Sequence, residues 1–212
     1  MEINLTNIGK RYQKEWIFRG INADFLQGDC IAILGANGSG KSTLLQVLSG
    51  YLTPSEGIIS WKNDGIRIGV DYIFKYVSLA TPYMTNYDEF TLKENIDFFS
   101  SFKSFRNQLN ATDVAELMGL SKAYNKPLKF YSSGMKQRVK LGMAILADTP
   151  LLLLDEPSSH LDANAISWYQ ELLRVNAHDR IVFIASNKEE AETIGCTKQI
   201  LIEAFKQPDV RV

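Results

Sequence analysis

The stretch Gly35-Ala-Asn-Gly-Ser-Gly-Lys-Ser-Thr43 constrains what this chain can fold into more than any other segment. The apolar run Asp29-Cys-Ile-Ala-Ile-Leu34 leads into it, and Leu44, Leu45, Val47 and Leu48 follow at helical spacing, so the segment reads strand, glycine-rich loop, helix. The glycines let successive backbone amides turn inward as an anion nest, and the helix adds the positive field of its N-terminus. Gly-x-x-x-x-Gly-Lys-Ser in that context is a phosphate-binding loop. Gly35, Ala36, Asn37, Gly38, Ser39, Gly40, Lys41, Ser42 and Thr43 are therefore candidate nucleotide-binding residues. Lys41 is placed for the β- and γ-phosphates and Ser42 for a magnesium ion.

Pro150-Leu-Leu-Leu-Leu-Asp155 and Arg180-Ile-Val-Phe-Ile-Ala-Ser186 are apolar on both faces, the pattern of central strands in a parallel sheet. The first ends in Asp155-Glu156, the form in which a buried strand delivers a carboxylate to a magnesium shell. Asp155 takes that metal-binding role beside Ser42. Glu156, one residue on, is placed to orient or deprotonate an attacking water, and Lys41 joins it as a catalytic candidate. Two acids at a strand end mean little alone; paired with the loop at 35–43 they outline a site for nucleotide hydrolysis.

Between these motifs, Tyr131-Ser-Ser-Gly-Met-Lys-Gln-Arg138 resembles the signature sequence of ABC ATPases. In that family the segment opens a helix that clamps the γ-phosphate bound to the opposite subunit, and Ser132 and Gly134 match the two clamping positions. Ser133 stands for the usual glycine and Met135 for the usual glutamine. Ser159-His-Leu-Asp162 resembles the family's D-loop, with Asp162 the matching acid; His160 reads as an exposed loop histidine rather than a catalyst. Upstream, Tyr12 lies where the family places an aromatic against adenine, with Trp16 and Phe18 as competing candidates.

The resemblance runs from Tyr12 to Asn187 and, beyond Ser133 and Met135 in the signature, departs from the family at two further positions. Leu79, with Ala80 its alternative, stands where the Q-loop glutamine is expected. Asn187 stands where the switch histidine is expected, and it remains a catalytic candidate that can hydrogen-bond phosphate but cannot carry a proton. Two readings stay open: a slower but active ATPase, or a nucleotide-gated module with attenuated hydrolysis. A non-transport ABC ATPase is a third, though the chain has one cassette, no heptad run and no basic extension.

The organisation fits one α/β unit. Gly50 can cap the helix after the loop, and Thr53-Pro-Ser-Glu-Gly57 turns into a strand at Ile58-Ile-Ser-Trp61 before the Asn63-Asp-Gly65 turn. From Thr91 the pattern is helical: Thr91 with Glu94 forms a capping box, and Leu92, Ile96, Phe99 and Phe102 recur near 3.6. A second helix near Thr112 carries Val114, Leu117 and Met118 and stops at Gly119. The expectation is an α/β P-loop NTPase core (1–80 and 148–212) with an N-terminal antiparallel β subdomain and an inserted α-helical subdomain (81–147).

With 212 residues and a formal net charge of -1, the chain offers no basic stripe for nucleic acid. No window approaches the roughly 18 apolar residues of a membrane span, and Met1 to Gly20 has no uninterrupted apolar core of a secretion signal. The expected location is cytoplasmic, peripheral on the cell membrane through a partner. The resemblance implies ATP and Mg2+ as cofactors, a homodimer or heterodimer with a related ATPase subunit, and an integral membrane transporter subunit. The helical lobe and the segment Leu79 to Phe90, with Tyr83, Met84, Tyr87 and Phe90, would dock that subunit. The two cysteines, Cys30 and Cys196, read as ordinary reduced thiols far from any metal-ligand spacing.

Overall fold

In chain order the strands are β1 (Glu2–Tyr12), β2 (Glu15–Leu26), β3 (Cys30–Leu34), β4 (Glu56–Asn63), β5 (Ile66–Ile68), β6 (Val77–Ala80), β7 (Leu151–Asp155), β8 (Ile181–Ser186) and β9 (Lys198–Leu201). The α-helices are α1 (Lys41–Leu48), α2 (Leu92–Ser100), α3 (Ala111–Leu117), α4 (Ser133–Leu146) and α5 (Ala163–Asn176). The computed structural model describes residues 1–187 and 191–206.

The strands form two sheets. One is antiparallel, ordered β2-β1-β4-β5; the other is parallel, ordered β6-β7-β8-β3-β9. The β4–β5 hairpin turns at Asp64 and Gly65, both with positive φ, as an Asp-Gly pair at a tight hairpin favours. The parallel strands are apolar on both faces because both faces are covered. Leu151, Leu153, Ile181, Phe183, Ile31 and Ile33 pack with α1 and the antiparallel sheet. Leu152, Leu154, Val182 and Ile184 pack on the opposite face with α2, α3, α4 and α5. Trp61 Nε1 donates to Leu48 O at 3.0 Å, fastening the antiparallel sheet to the end of α1.

Helices α2 to α4 all lie between β6 and β7 in the chain. Thr91 caps α2, its side chain accepting from Glu94 N while Glu94 returns a bond to Thr91 N, the reciprocal box that the sequence expects. Asn110 caps α3 in the same way with Asp113. At the other end Gly119, φ +68, lets Gly119 N reach Glu116 O and Leu120 N reach Ala115 O, closing α3 in a Schellman turn. Gly50 ends α1 with φ +75.

One expectation differs from the fold, and two features go beyond what the residues suggest. Phe102 lies past the end of α2 and is exposed; Leu117 ends α3 on its outer side and is exposed as well. The segment after Cys196 supplies β9, an edge strand beside β3. The two cysteines, 166 positions apart, meet with their Sγ atoms at 3.0 Å, since β9 runs alongside β3.

Arg180 is the largest fully buried side chain and sits at the root of β8. It donates from Nη1 to Ile145 O and from Nη2 to Ser78 Oγ, both at 2.9 Å, and to Thr149 Oγ1. One guanidinium thus joins the last turn of α4, strand β6 and the approach to β7. Burial pushes it down to about 9, with Arg106 adding to the shift.

Candidate functional site

The register of the parallel sheet brings three loop starts together. Leu34 pairs with Ser186 and Asp155 with Ala185, so Gly35, Glu156 and Asn187 leave the carboxyl ends of neighbouring strands. In open parallel sheets this is the edge where ligands bind.

The loop at 35–40 rises from β3 and feeds α1. Gly40 is the N-cap, with φ +110, and a Cβ there would lie 2.4 Å from Ile17 Cγ2, so both backbone and space demand glycine. Ala36, Asn37 and Gly38 form an exposed crest, while Ser39 is buried with its hydroxyl unpartnered. Lys41 is buried, and its Nζ donates to Gly35 O at 3.0 Å and Ala36 O at 3.2 Å, folding the ammonium back under the crest. Ser42 and Thr43, half-buried, follow in the first turn. Glu203, which the sequence reading did not single out, accepts from Ala36 N at 2.8 Å; only the return of the chain after β9 puts it there.

Asp155 is 3% exposed and its Oδ1 has no hydrogen-bond partner. Burial pushes its carboxyl above the usual carboxylate range; the Ser42 hydroxyl and Lys41 pull the other way, while Glu156 and Glu192 add to the rise. A buried carboxylate oxygen left unsatisfied beside a hydroxyl is a donor set suited to a hard divalent cation. Glu156 has φ +46, uncommon for a residue with a long side chain and worth about 1–3 kcal/mol of strain. Its N–H donates to Ala185 O at 2.9 Å, so the sheet itself holds the strained backbone.

Leu79 pairs with Leu153, two steps behind Asp155, and packs toward α1; Ala80 is buried on the other face. An apolar side chain therefore stands at the end of the neighbouring strand. Asn187 is exposed at the end of β8.

Ser132 caps α4, accepting from Met135 N at 3.2 Å, and is itself exposed. Gly134 lies so close to the 159–162 turn that a Cβ would sit 3.0 Å from His160 O. Gln137, also overlooked in the sequence, donates to Pro157 O at 3.1 Å. Among the described residues neither Ser132 nor Gly134 hydrogen-bonds to the loop at 35–43. Asp162 caps α5 by accepting from Ala165 N at 2.8 Å, and His160 is exposed. Glu192, 2% exposed, accepts from Ser158 N and Oγ, tying the segment after β8 to the turn after Glu156. An acid in a polar Lys-Glu-Glu-Ala-Glu run gives no sequence signal of burial.

Of the three aromatics before the loop, Phe18 is fully buried and has no face free for a base. Trp16 is half-buried, with Arg19 and Arg11 at 4.6 and 5.5 Å from its ring. Tyr12 is 49% exposed at the end of β1, next to Lys10.

A second surface lies on the helices. Tyr87 stacks on Phe90 and meets Phe98 edge-on, and Phe98 meets Phe102, with ring centroids 5.0 to 5.3 Å apart. All four rings are exposed, as are Tyr83 and Met84. Buried Asn95 pins this loop, donating to Tyr87 O, Phe90 O and Thr91 O and accepting from Tyr87 N. The groove beneath, about 340 Å³, is lined by Leu79, Met84, Phe99 and Met143.

The sequence model of the family described as ABC transporter matches residues 18–159. Nod factor export ATP-binding protein I of Burkholderia orbicola is 32% identical over 207 residues, 95% of this chain and 67% of that protein. ATP-binding cassette sub-family A member 17 of Mus musculus is 30% identical over 198 residues, 92% of this chain, which spans 11% of that much longer protein. A solved structure titled putative ABC transporter (ATP-binding protein), from Pyrococcus furiosus, has a TM-score of 0.81 at 19% identity, covering 98% of this chain and 100% of that one. At that identity the likeness speaks for the fold.

Proposed function

The chain belongs to the ABC transporter family as one of its ATP-binding modules, and we propose that it hydrolyses ATP to drive transport through a separate membrane subunit. The observation that carries this reading is the unpartnered, buried Asp155 Oδ1 beside Ser42 and Lys41, at the sheet edge where Glu156 emerges. A phosphate chain lying on the amides of 35–43 would draw Lys41 Nζ away from Gly35 O and Ala36 O toward the β- and γ-oxygens. Ser42 and Asp155 would hold magnesium, which when bound supplies positive charge against the phosphates. Glu156 orients a water and accepts its proton, from a backbone position the sheet fixes in advance. Leu79 contributes no amide and Asn187 no titratable group, so turnover is slow by the family's pattern.

Ser132 is exposed and Gly134 half-buried at the start of α4, which supports their serving nucleotide on a second copy or a related subunit in a head-to-tail dimer. Tyr12, with an open ring, is the favoured adenine platform over Trp16. Asp162, besides capping α5, would lie at the dimer seam. The aromatic ladder of Tyr87, Phe90, Phe98 and Phe102 over its groove is the proposed seat of the membrane subunit. No helix of the described residues is long and apolar enough to cross a membrane; docked on the membrane subunit, the chain would sit peripherally on the cytoplasmic face. The second reading, binding and closure with attenuated hydrolysis, draws on the apolar contact of Leu79.

The test is phosphate release by the purified chain with magnesium-ATP against Glu156→Gln, with dimerisation followed by light scattering. General-base loss is expected to lower release by about 10²–10⁴-fold while ATP-dependent dimerisation persists. Dimerisation without release in the unsubstituted chain selects the attenuated module; equal release by both proteins removes Glu156 from the chemistry.

A further inference from the structure

The Cys30 and Cys196 thiols touch, at 3.0 Å between Sγ atoms, and both are free and half-buried. A disulfide needs about 2.05 Å, so closing the bond asks for roughly 1 Å of approach. The surroundings make the two sulfurs unequal. Cys30 lines a cleft of about 530 Å³ between α5 and the start of β3, shared with Gly28, Leu173, Ala177 and Ile194; Cys196 is not among its lining residues. The hydrogen bond between the two sulfurs lowers Cys30, against burial, while that bond and burial raise Cys196. Cys30, the thiol that faces the cleft, is thus the attacking group and Cys196 the resolving one.

We infer that Cys30 and Cys196 form a reversible thiol–disulfide site, oxidised by a low-molecular-weight disulfide entering the cleft against α5. The Cys30 thiolate attacks one sulfur of that disulfide, forming a mixed disulfide and expelling the other sulfur as a thiolate that takes up the Cys30 proton. Cys196 gives up its proton and attacks Cys30 Sγ; the second small thiol leaves with that proton. Two protein thiols are oxidised by two electrons and one small disulfide is reduced to two thiols.

The bond would fasten the segment before β9 to the root of β3, the strand that carries the phosphate-binding loop. That segment is already tied elsewhere: Gln170 Nε2 donates to Ala191 O, Tyr169 Oη to Glu192 O, and Ser158 to the Glu192 carboxylate. At the other end Thr197 N already donates to Cys30 O at 3.0 Å, and oxidation adds a covalent tie beside that bond, so that 191–196 is held more firmly at both ends. In a reducing compartment the pair rests as dithiol, and the bond forms under oxidative conditions. The inference does not depend on ATP hydrolysis.

The full chain, incubated in graded mixtures of reduced and oxidised glutathione and then alkylated, is analysed by intact mass and peptide mapping. The expected product is a monomer lighter by two hydrogens, protected from alkylation at both cysteines and restored by dithiothreitol. Cys196→Ser should instead accumulate one glutathione adduct on Cys30, and backbone amides of 191–196 should exchange more slowly in the oxidised chain. Alkylation of both cysteines across the series, a persistent adduct on unsubstituted Cys30, a disulfide between two chains, or unchanged exchange at 191–196 would each overturn it.

Discussion

Asp155 shows how one residue can be poor for the fold and suited to the proposed site. Its folded-state carboxyl is raised above the unfolded value, chiefly by burial, so its contribution to stability is fully present below the unfolded value and lost as pH rises through the folded one. Asp155→Asn, which keeps the shape without the charge, should therefore raise the melting temperature at neutral pH in nucleotide-free, magnesium-free buffer. The gain should shrink as pH falls into the acid range; calorimetry across pH checks it, and a constant difference would assign the effect to packing. Arg180 is the opposite case, a buried charge that serves the fold. Arg180→Ala leaves the Ser78 and Thr149 hydroxyls and Ile145 O without this partner and opens a cavity. The expected cost is about 3 kcal/mol, or roughly 6–12 °C in melting temperature for a chain of this size. The sequence motif marks Asp155, but Arg180 looks only like the polar start of a strand, because its three partners come from distant parts of the chain.

Elements with local start and stop signals were legible from the residues. The Thr91–Glu94 box, the Asp64-Gly65 turn and the glycines at 50 and 119 act through bonds within a few residues, so the sequence reading and the structure agree on them. Thr91→Ala should cost about 1 kcal/mol and lower the melting temperature by roughly 2–4 °C, measured by circular dichroism. Phe102 continues the apolar spacing of α2 but lies beyond its last residue, because periodicity records which residues are apolar and not where the helix ends. The segment after Cys196 gave no strong strand signal. Its strand character comes from the open edge of β3, whose amides and carbonyls Lys198–Leu201 satisfy.

At the scale of the whole molecule, both faces of the parallel sheet are covered, and the aromatic ladder on the helices is an apolar feature left outside. Tyr87→Ser with Phe98→Ser should leave phosphate release by the isolated chain unchanged and abolish co-purification with a membrane protein from detergent extracts of native membranes. Retained co-purification would move the docking surface elsewhere. The residues alone determined the family, the α/β class, and the strand-loop-helix frame of the nucleotide site, because glycine geometry, capping and strand alternation are set within short stretches of chain. Only the tertiary structure decided which aromatic keeps an open face, that Glu192 and Glu203 crowd the site, that Arg180 joins three elements, and that Cys30 meets Cys196. Those outcomes depend on contacts across tens to hundreds of residues, fixed by strand order and register when the sheet closes rather than by the identity of any neighbour in sequence.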